Sequence, residues 1–186
     1  VAALAASTLL TVSCASGPGG NQGLQSSTDA RKIEARSRTA LDELYRSNPR
    51  ALELAKNAKG VLVFPDIIKG GLVIGGAAGD GALYQRGQAT GYYRSFSASY
   101  GLQAGLQKFG YVLFLMDDEA IQKLNSSGGW EVGSAPTLTV LDKGAASSFS
   151  TTTLNKGTYA VFFDQKGLMA GLGLQGTKVT RLAIQP

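Results

Sequence analysis

The chain has 186 residues, 44% of them hydrophobic and 17% charged, so it can bury the core of one ordinary domain. Its formal net charge of +5 favours anionic partners such as phospholipid headgroups, although the lack of any run of five or six basic residues argues against nucleic acid. Histidine is absent and the single cysteine is Cys14, which excludes histidine-based catalysis, a structural zinc site and an internal disulfide. We therefore expect a binding protein and not an enzyme, with no cofactor and no metal.

The first residues, VAALAASTLLTVSC, resemble the end of a secretory signal, because they are uncharged and apolar. The stretch is too short for a membrane span, which needs about 20 residues. Ser13-Cys14 resembles a bacterial lipobox, so we expect a signal remnant at 1–13 and a lipidated, flexible tether at 14–26; the alternative is an ordinary signal with an incidental cysteine. Ala15 stands where an Asp would resemble an inner-membrane retention signal, which favours the outer membrane of a bacterial cell envelope.

Residues 27–186 have the patterns of one α+β domain. Helical spacing predicts a first helix from about Ser27 to Ser47, and Pro49 opens a second helix that ends near Asn57. Strand patterns follow over 60–64, 71–76, 82–86, 90–100 and 111–116, then a short helix over 118–124 that Asp117 can cap, then strands over 130–133, 137–141, 148–153, 159–163, 168–174 and 179–184. We expect two helices packed on a glycine-rich, largely antiparallel, curled sheet or partly closed barrel.

Several short motifs have an ordinary structural interpretation. Residues 171–176, GLGLQG, are a literal GxGxxG, but the strand-like pattern after them favours a bend over a dinucleotide site. Lys59 and Lys69 precede glycines at strand starts, where they could hold an anion with exposed N–H groups or simply be solvated. The basic first turns of helix one could contact headgroups, or that helix could only pack on the sheet.

Five glycine-rich segments occur in one order along the chain: Ala58-Lys59-Gly60-Val61, Lys69-Gly70-Gly71 with Gly75-Gly76, Gly79-Asp80-Gly81, Gly101-Leu102-Gln103-Ala104-Gly105, and Lys166-Gly167-Leu168-Met169-Ala170-Gly171-Leu172. Together they resemble the SYLF domain family, also called the Ysc84 actin-regulator family, from about Asn48 to the C-terminus. The chain departs from the pattern at residues 91–95, GYYRS, where many members have a Trp-Ser-x-Pro turn. The resemblance implies lipid binding, actin binding in fungal members, and no enzymatic activity.

The leading hypothesis is an envelope lipoprotein, tethered through Cys14, whose SYLF-like domain binds anionic phospholipid headgroups. The candidate lipid-binding residues are Lys59, Lys69 and Lys166, which stand at family-matching positions, with Arg31, Lys32 and Arg36 for a looser electrostatic attraction. The alternative is a structural or adaptor lipoprotein that binds another envelope protein through its sheet edge or a groove.

Overall fold

A computed structural model describes residues 19–71, 74–100, 105–132, 138–141, 157–166, 174 and 176–184. The elements in these residues are α1 (Gly19–Ser47), α2 (Pro49–Asn57), β1 (Gly60–Gly71), β2 (Ile74–Gln85), β3 (Gln88–Tyr100), β4 (Gly105–Leu115), α3 (Asp118–Leu124), β5 (Trp130–Glu131), β6 (Leu138–Leu141), β7 (Thr158–Lys166) and β8 (Thr177–Arg181). The strands form one sheet in the order β5-β8-β3-β2-β1-β4-β7-β6, and each pairing is antiparallel except that of β6 with β7. The prediction of two helices on a largely antiparallel α+β sheet is confirmed.

The observed helices follow the predicted bounds more closely than the strands do. α2 and α3 begin and end where predicted, whereas α1 begins at Gly19, earlier than the predicted Ser27. The second half of the strand predicted over 71–76 and most of that predicted over 82–86 belong to the single strand β2, because extended backbone continues through the glycines between them, whereas Gly71 ends β1. Cys14, the strand predicted over 148–153 and nearly all of that predicted over 168–174 lie outside the described residues.

Polar side chains fix the starts of the two short helices. Asn48 Oδ1 accepts a hydrogen bond from Ala51 N at 3.3 Å, and Asp117 accepts one from Ala120 N at 2.9 Å. Asp117 also accepts a hydrogen bond from Gly157 N at 2.8 Å, so it joins α3 to the segment that enters β7. Burial disfavours the charged carboxylate, but these two backbone hydrogen bonds and the charges of Lys123 and Lys59 together outweigh burial and lower the pKa of Asp117.

The two faces of the sheet bury separate apolar cores. Val63 and Val112 pack beneath α1 and α2, whereas Leu62 and Tyr111 point to the opposite face, on which α3 packs. Tyr111 Oη on β4 donates a hydrogen bond to Ser95 Oγ on β3 at 2.7 Å, although β1 and β2 lie between these strands. Because adjacent strands are about 4.8 Å apart, a flat sheet would hold β3 and β4 about 14 Å apart. The sheet is therefore strongly curled towards α3.

α1 lies across β1, β2 and β3 and covers only part of their shared face. Its buried side includes Ala30, Ser37 and Leu44, and Tyr84 Oη on β2 donates a hydrogen bond to Glu34 O at 3.1 Å. Within the described residues, no helix is both long enough and apolar enough to cross a bilayer. The strands extend well beyond the width of α1, so part of the sheet face is left open.

A bulge in β1 brings the backbones of β1 and β2 very close together. The register of the β1–β2 pair shifts between Val63 and Ile68, and the register of β1 with β4 shifts in the same region. A Cβ atom at Gly81 would lie 2.1 Å from Val63 O, and one at Gly79 would lie 2.2 Å from Asp66 O. Only glycine fits at these two positions of β2.

Replacing Gly81 by Ala should lower the free energy of unfolding by about 2 kcal/mol or more, because the added methyl group overlaps the Val63 carbonyl and forces the strands apart. Urea denaturation followed by circular dichroism measures the change. Gly128→Ala is the matched control, since a Cβ atom there meets nothing within 4 Å. Equal stability of the two variants would contradict the close approach of β2 to β1.

Candidate functional site

An exposed apolar patch crosses the part of the sheet that α1 leaves open. Ile68, Phe96 and Leu106 expose 58%, 55% and 80% of their surface, respectively. Phe96 stands opposite Ala78 in the β2–β3 pair, and Ala78 stands opposite Ile68 in the β1–β2 pair. Directly opposite residues of antiparallel strands point to the same face, so these side chains form one cross-strand row. Leu106 continues the patch on β4, where it stands opposite Gly70.

Lysines stand at both ends of the apolar row. Lys178 of β8 is opposite Phe96, Lys108 of β4 is opposite Ile68, and both lysines are exposed. Glu131 of β5 stands beyond Lys178, so the row also carries one carboxylate at that edge. We name the surface formed by Ile68, Phe96, Leu106, Lys108 and Lys178 the outer sheet face. An apolar centre between cationic ends suits the boundary between headgroups and acyl chains of an anionic membrane.

The basic side of α1 borders the outer sheet face. Arg36 Nη1 lies 3.8 Å from Asp66 Oδ2, and Lys108 Nζ lies 2.7 Å from Asp66 Oδ1. Asp66 thus links α1 to β4 and neutralises part of the local charge. Lys32 precedes Arg36 by one helical turn and lies on the same side of α1. Both side chains are exposed, so they add positive charge beside the apolar row.

A groove of about 1060 Å³ lies on the other side of α1. It is bounded by the second half of α1, the end of α2, the start of β1 and the turn between β2 and β3. Its apolar and phenolic floor includes Leu41, Tyr45, Ala55, Val61 and Tyr84. The charged residues that line it are the cations Arg38, Lys56, Lys59 and Arg86 and the carboxylates Asp42 and Asp118.

Two of the four cations in the groove form ion pairs. Arg38 Nη2 donates to Glu34 Oε1 at 2.7 Å, and this hydrogen bond raises the pKa of the guanidinium. Lys59 Nζ forms an ion pair with Asp118. Burial raises the pKa of Tyr45 to about 12 and that of Tyr84 still further, so both phenols are neutral hydrogen-bond donors at physiological pH.

Residues 96–182 match the family model Ysc84, described as Las17-binding protein actin regulator. The chain is therefore similar to the Ysc84 family over these residues, which make up slightly less than half of its length. This family is associated with the binding of lipids or of actin-related partners. No curated protein matches the chain in sequence.

The match to the Ysc84 family begins within β3, later than the resemblance at Asn48 suggested. It includes four residues of the outer sheet face, namely Phe96, Leu106, Lys108 and Lys178. Ile68 and all the groove-lining residues except Asp118 precede it. The GxQxG segment at 101–105 and most of the closing segment at 166–172 lie outside the described residues. β8 directly follows the GxGxxG at 171–176, so that motif does not open a helix.

The six predicted lipid-binding residues do not form a single site. Lys69 follows Ile68 on β1 and points to the opposite face, where it stands across from Gln107. Lys166 stands opposite Lys108 on β7, at the same end of the sheet. Lys59 precedes β1 and lies about 30 Å along the strand from Lys69, so one headgroup cannot contact both. The remaining three, Arg31, Lys32 and Arg36, are exposed on α1.

The outer sheet face was missed because apolar residues in strands are expected to be buried. The available signal was the segment 94–98, RSFSA, in which alternation places Phe96 on the same face as Arg94. Arg94 is exposed and forms a bidentate ion pair with Asp80, in which Nε lies 2.7 Å from Oδ1 and Nη2 lies 2.9 Å from Oδ2. Ser95, by contrast, is buried. A charged residue two positions from Phe96 was therefore the indication that Phe96 faces outwards.

Arg86 occupies an unfavourable backbone conformation at the rim of the groove. Gln85 pairs with Gln88 across a two-residue turn in which Arg86 has a φ of 52° and Gly87 a φ of 80°. Turns with two positive φ angles favour Asn-Gly or Gly-Gly. An arginine in the left-handed region costs about 1 kcal/mol or more relative to its ordinary conformations. The fold itself therefore does not explain the choice of arginine at this position.

Replacing Arg86 by Asn should raise the free energy of unfolding by about 1 kcal/mol, because Asn adopts the left-handed conformation more readily. Urea denaturation measures this gain. Arg86→Ala is the control, since it removes the same guanidinium but keeps the strain of a β-carbon at positive φ, and it should show no gain. A loss of stability in the Asn variant would indicate that the arginine side chain supports the fold.

Proposed function

We propose that this chain binds anionic phospholipid membranes and that the outer sheet face is the surface that contacts the bilayer. The observation that carries the proposal is the cross-strand row in which Phe96 and Ile68 are exposed between Lys178 and Lys108. Large exposed apolar side chains are unfavourable in water and mark sites of contact with a protein or a membrane. The association of the Ysc84 family with lipids supports a membrane as the partner.

The expected strength of this contact is that of a reversible membrane association. Transfer of the exposed parts of Ile68, Phe96 and Leu106 out of water contributes about 3 to 5 kcal/mol in total. Each lysine near an anionic surface adds about 1 kcal/mol. The sum is on the order of the binding free energy of one myristoyl chain, which by itself holds a protein only marginally.

A second membrane attachment would make the association stable. We propose that lipidated Cys14 is this attachment and that the protein is a lipoprotein of the bacterial cell envelope, anchored in the outer membrane. The domain would then act at the surface to which it is tethered, without catalysing a reaction. The rival function, an adaptor for another envelope protein, would use the same exposed apolar residues for a protein partner.

Phe96→Ser combined with Leu106→Ser should weaken binding to anionic vesicles about tenfold or more, because the two side chains provide much of the apolar area. The measurement is co-sedimentation of the full chain carrying Cys14→Ser with phosphatidylcholine vesicles, with and without phosphatidylglycerol. Lys178→Glu should weaken binding chiefly at low salt and flatten its salt dependence.

Lys123→Glu is the matched control for charge, since Lys123 is on α3, which packs on the opposite face of the sheet. Its binding should equal that of the parent chain. If the outer-face variants bind anionic vesicles as well as the parent chain does, the outer sheet face is not the membrane contact. If the parent chain binds no vesicles at all, the adaptor function takes precedence.

A further inference from the structure

We propose that the groove beside α1 is a binding site for an acidic oligosaccharide, that is, a short chain of sugar rings that carries carboxylate groups. Lys56 and Arg86 hold the carboxylates, whereas the other polar side chains of the groove contact the sugar hydroxyls. None of the residues of the outer sheet face lines the groove, so this proposal does not depend on membrane docking.

The lining of the groove is mostly polar. Eleven of the sixteen side chains that line it carry nitrogen or oxygen atoms. Sites for drug-like ligands are instead lined predominantly by apolar side chains. An apolar ligand would bury several of these polar atoms without hydrogen-bond partners, which is unfavourable. The ligand that suits this groove is therefore polar over most of its surface.

The groove combines hydrogen-bond donors with acceptors. The carboxylate of Asp42 can only accept hydrogen bonds, and it forms no ion pair with any residue that the structure describes. Gln85 Oε1 accepts a hydrogen bond from Thr90 Oγ1 at 3.0 Å, which leaves the NH2 group of that amide as a donor. The amide of Gln88 provides one further donor and acceptor group. Because a sugar hydroxyl both donates and accepts hydrogen bonds, a ligand rich in hydroxyls suits both kinds of group.

The charge of the groove favours an anionic sugar over a neutral one. Four cations and two carboxylates line it, which leaves a charge of +2. Arg38 and Lys59 form ion pairs, but within the described part of the chain neither Lys56 nor Arg86 has an ion-pair partner. These two cations belong to different elements, α2 and the β2–β3 turn. Each can hold one carboxylate of the ligand through a charge-assisted hydrogen bond without breaking an existing pair.

The conformation of Arg86 supports a functional role for its side chain. The turn holds this arginine in the left-handed region, at a φ of 52°, although Asn or Gly would fit there without strain. Backbone strain that the surrounding fold does not require is concentrated at functional sites. The strained turn places at the rim of the groove a guanidinium, whose planar fork matches the two oxygens of a carboxylate.

Tyr45 provides a ring and a hydroxyl donor to the same groove. The faces of sugar rings carry C–H groups, which pack against aromatic side chains such as the partly buried ring of Tyr45. Its hydroxyl makes no hydrogen bond with any part of the chain that the structure describes. Burial raises the pKa of Tyr45 to about 12, so the hydroxyl stays protonated and can donate to the ligand at any physiological pH.

Size and chemistry favour several linked sugar rings over other anions. The groove volume of about 1060 Å³ is near the upper limit of the usual range for ligand sites, about 300 to 1,000 Å³, so a single small anion would leave most of it to water. An acidic peptide also carries carboxylates, but few of its groups both donate and accept hydrogen bonds. It therefore satisfies the mixed lining less fully than a chain of uronic acids does.

Isothermal titration calorimetry of the full chain carrying Cys14→Ser tests the proposal. The acidic probes are the tetramers of galacturonate and of mannuronate, and the comparison probes are the neutral sugar maltotetraose and the peptide tetraglutamate. We expect at least one uronate tetramer to bind, and both comparison probes to bind at least tenfold more weakly. Arg86→Asn and Lys56→Gln should each weaken uronate binding about tenfold, the lower end of the contribution of a hydrogen bond to a charged group.

The pH dependence gives a second readout. Uronate binding should be constant from pH 5 to 9, because Tyr45 stays neutral and the carboxyl groups of the ligand, with a pKa of about 4, stay ionised. Since Arg86→Asn is predicted to stabilise the fold, its loss of binding cannot result from unfolding. Lys178→Gln is the matched control, since it removes one positive charge outside the groove, and it should bind uronate as the parent chain does.

Four outcomes would overturn the groove site. Absence of binding by both uronate tetramers would remove the ligand class, and equal binding of maltotetraose would remove the role of the two cations. Equal binding of tetraglutamate would make the groove a site for acidic peptides. Uronate binding that is unchanged in both Arg86→Asn and Lys56→Gln would place the sugar elsewhere. Failure of vesicle binding alone, with uronate binding intact, would instead contradict only the proposed membrane docking.

Discussion

The bulge in β1 determines which face of the sheet each later residue of that strand occupies. Before the bulge, Val63 packs beneath α1 and Leu62 and Phe64 pack on the opposite face. Strict alternation would then place Ile68 on the same face as Phe64. The extra residue reverses the alternation, so that Ile67 is buried on the α3 side and Ile68 is exposed on the α1 side.

The same reversal places Asp66 between α1 and β4. Its carboxylate lies 3.8 Å from Arg36 and 2.7 Å from Lys108, so one side chain ties the helix to the strand at the border of the outer sheet face. Exposed ion pairs of this kind contribute little to stability. They hold two cations beside the apolar row. The bulge in turn requires Gly79 and Gly81 on β2, because side chains there would overlap the backbone of β1.

α1 divides one face of the sheet into two surfaces with different chemistry. On one side of the helix lies the outer sheet face, which is open, apolar at its centre and flanked by Lys108 and Lys178. On the other side lies the groove, whose concave wall is lined by charged and phenolic side chains. A broad apolar surface with cationic ends suits a bilayer, whereas a groove with two available cations suits one molecule.

The sequence by itself determined the fold class, the bounds of α2 and α3 and the similarity to the Ysc84 family. These depend on local signals, namely Pro49 and Asp117 at helix starts, strand periodicity and ordered glycine segments. It also supplied Lys59, Lys69 and Lys166 as candidates but not their separation, since Lys59 lies just before β1 and Lys69 near the far end of that strand. Only the tertiary structure decided that Ile68, Phe96 and Leu106 are exposed and that Arg86 faces a groove. Those properties arise from the extra residue of the β1 bulge, which reverses the alternation of faces, from the pairing of strands distant in sequence and from the limited width of α1. Short-range sequence patterns encode none of these.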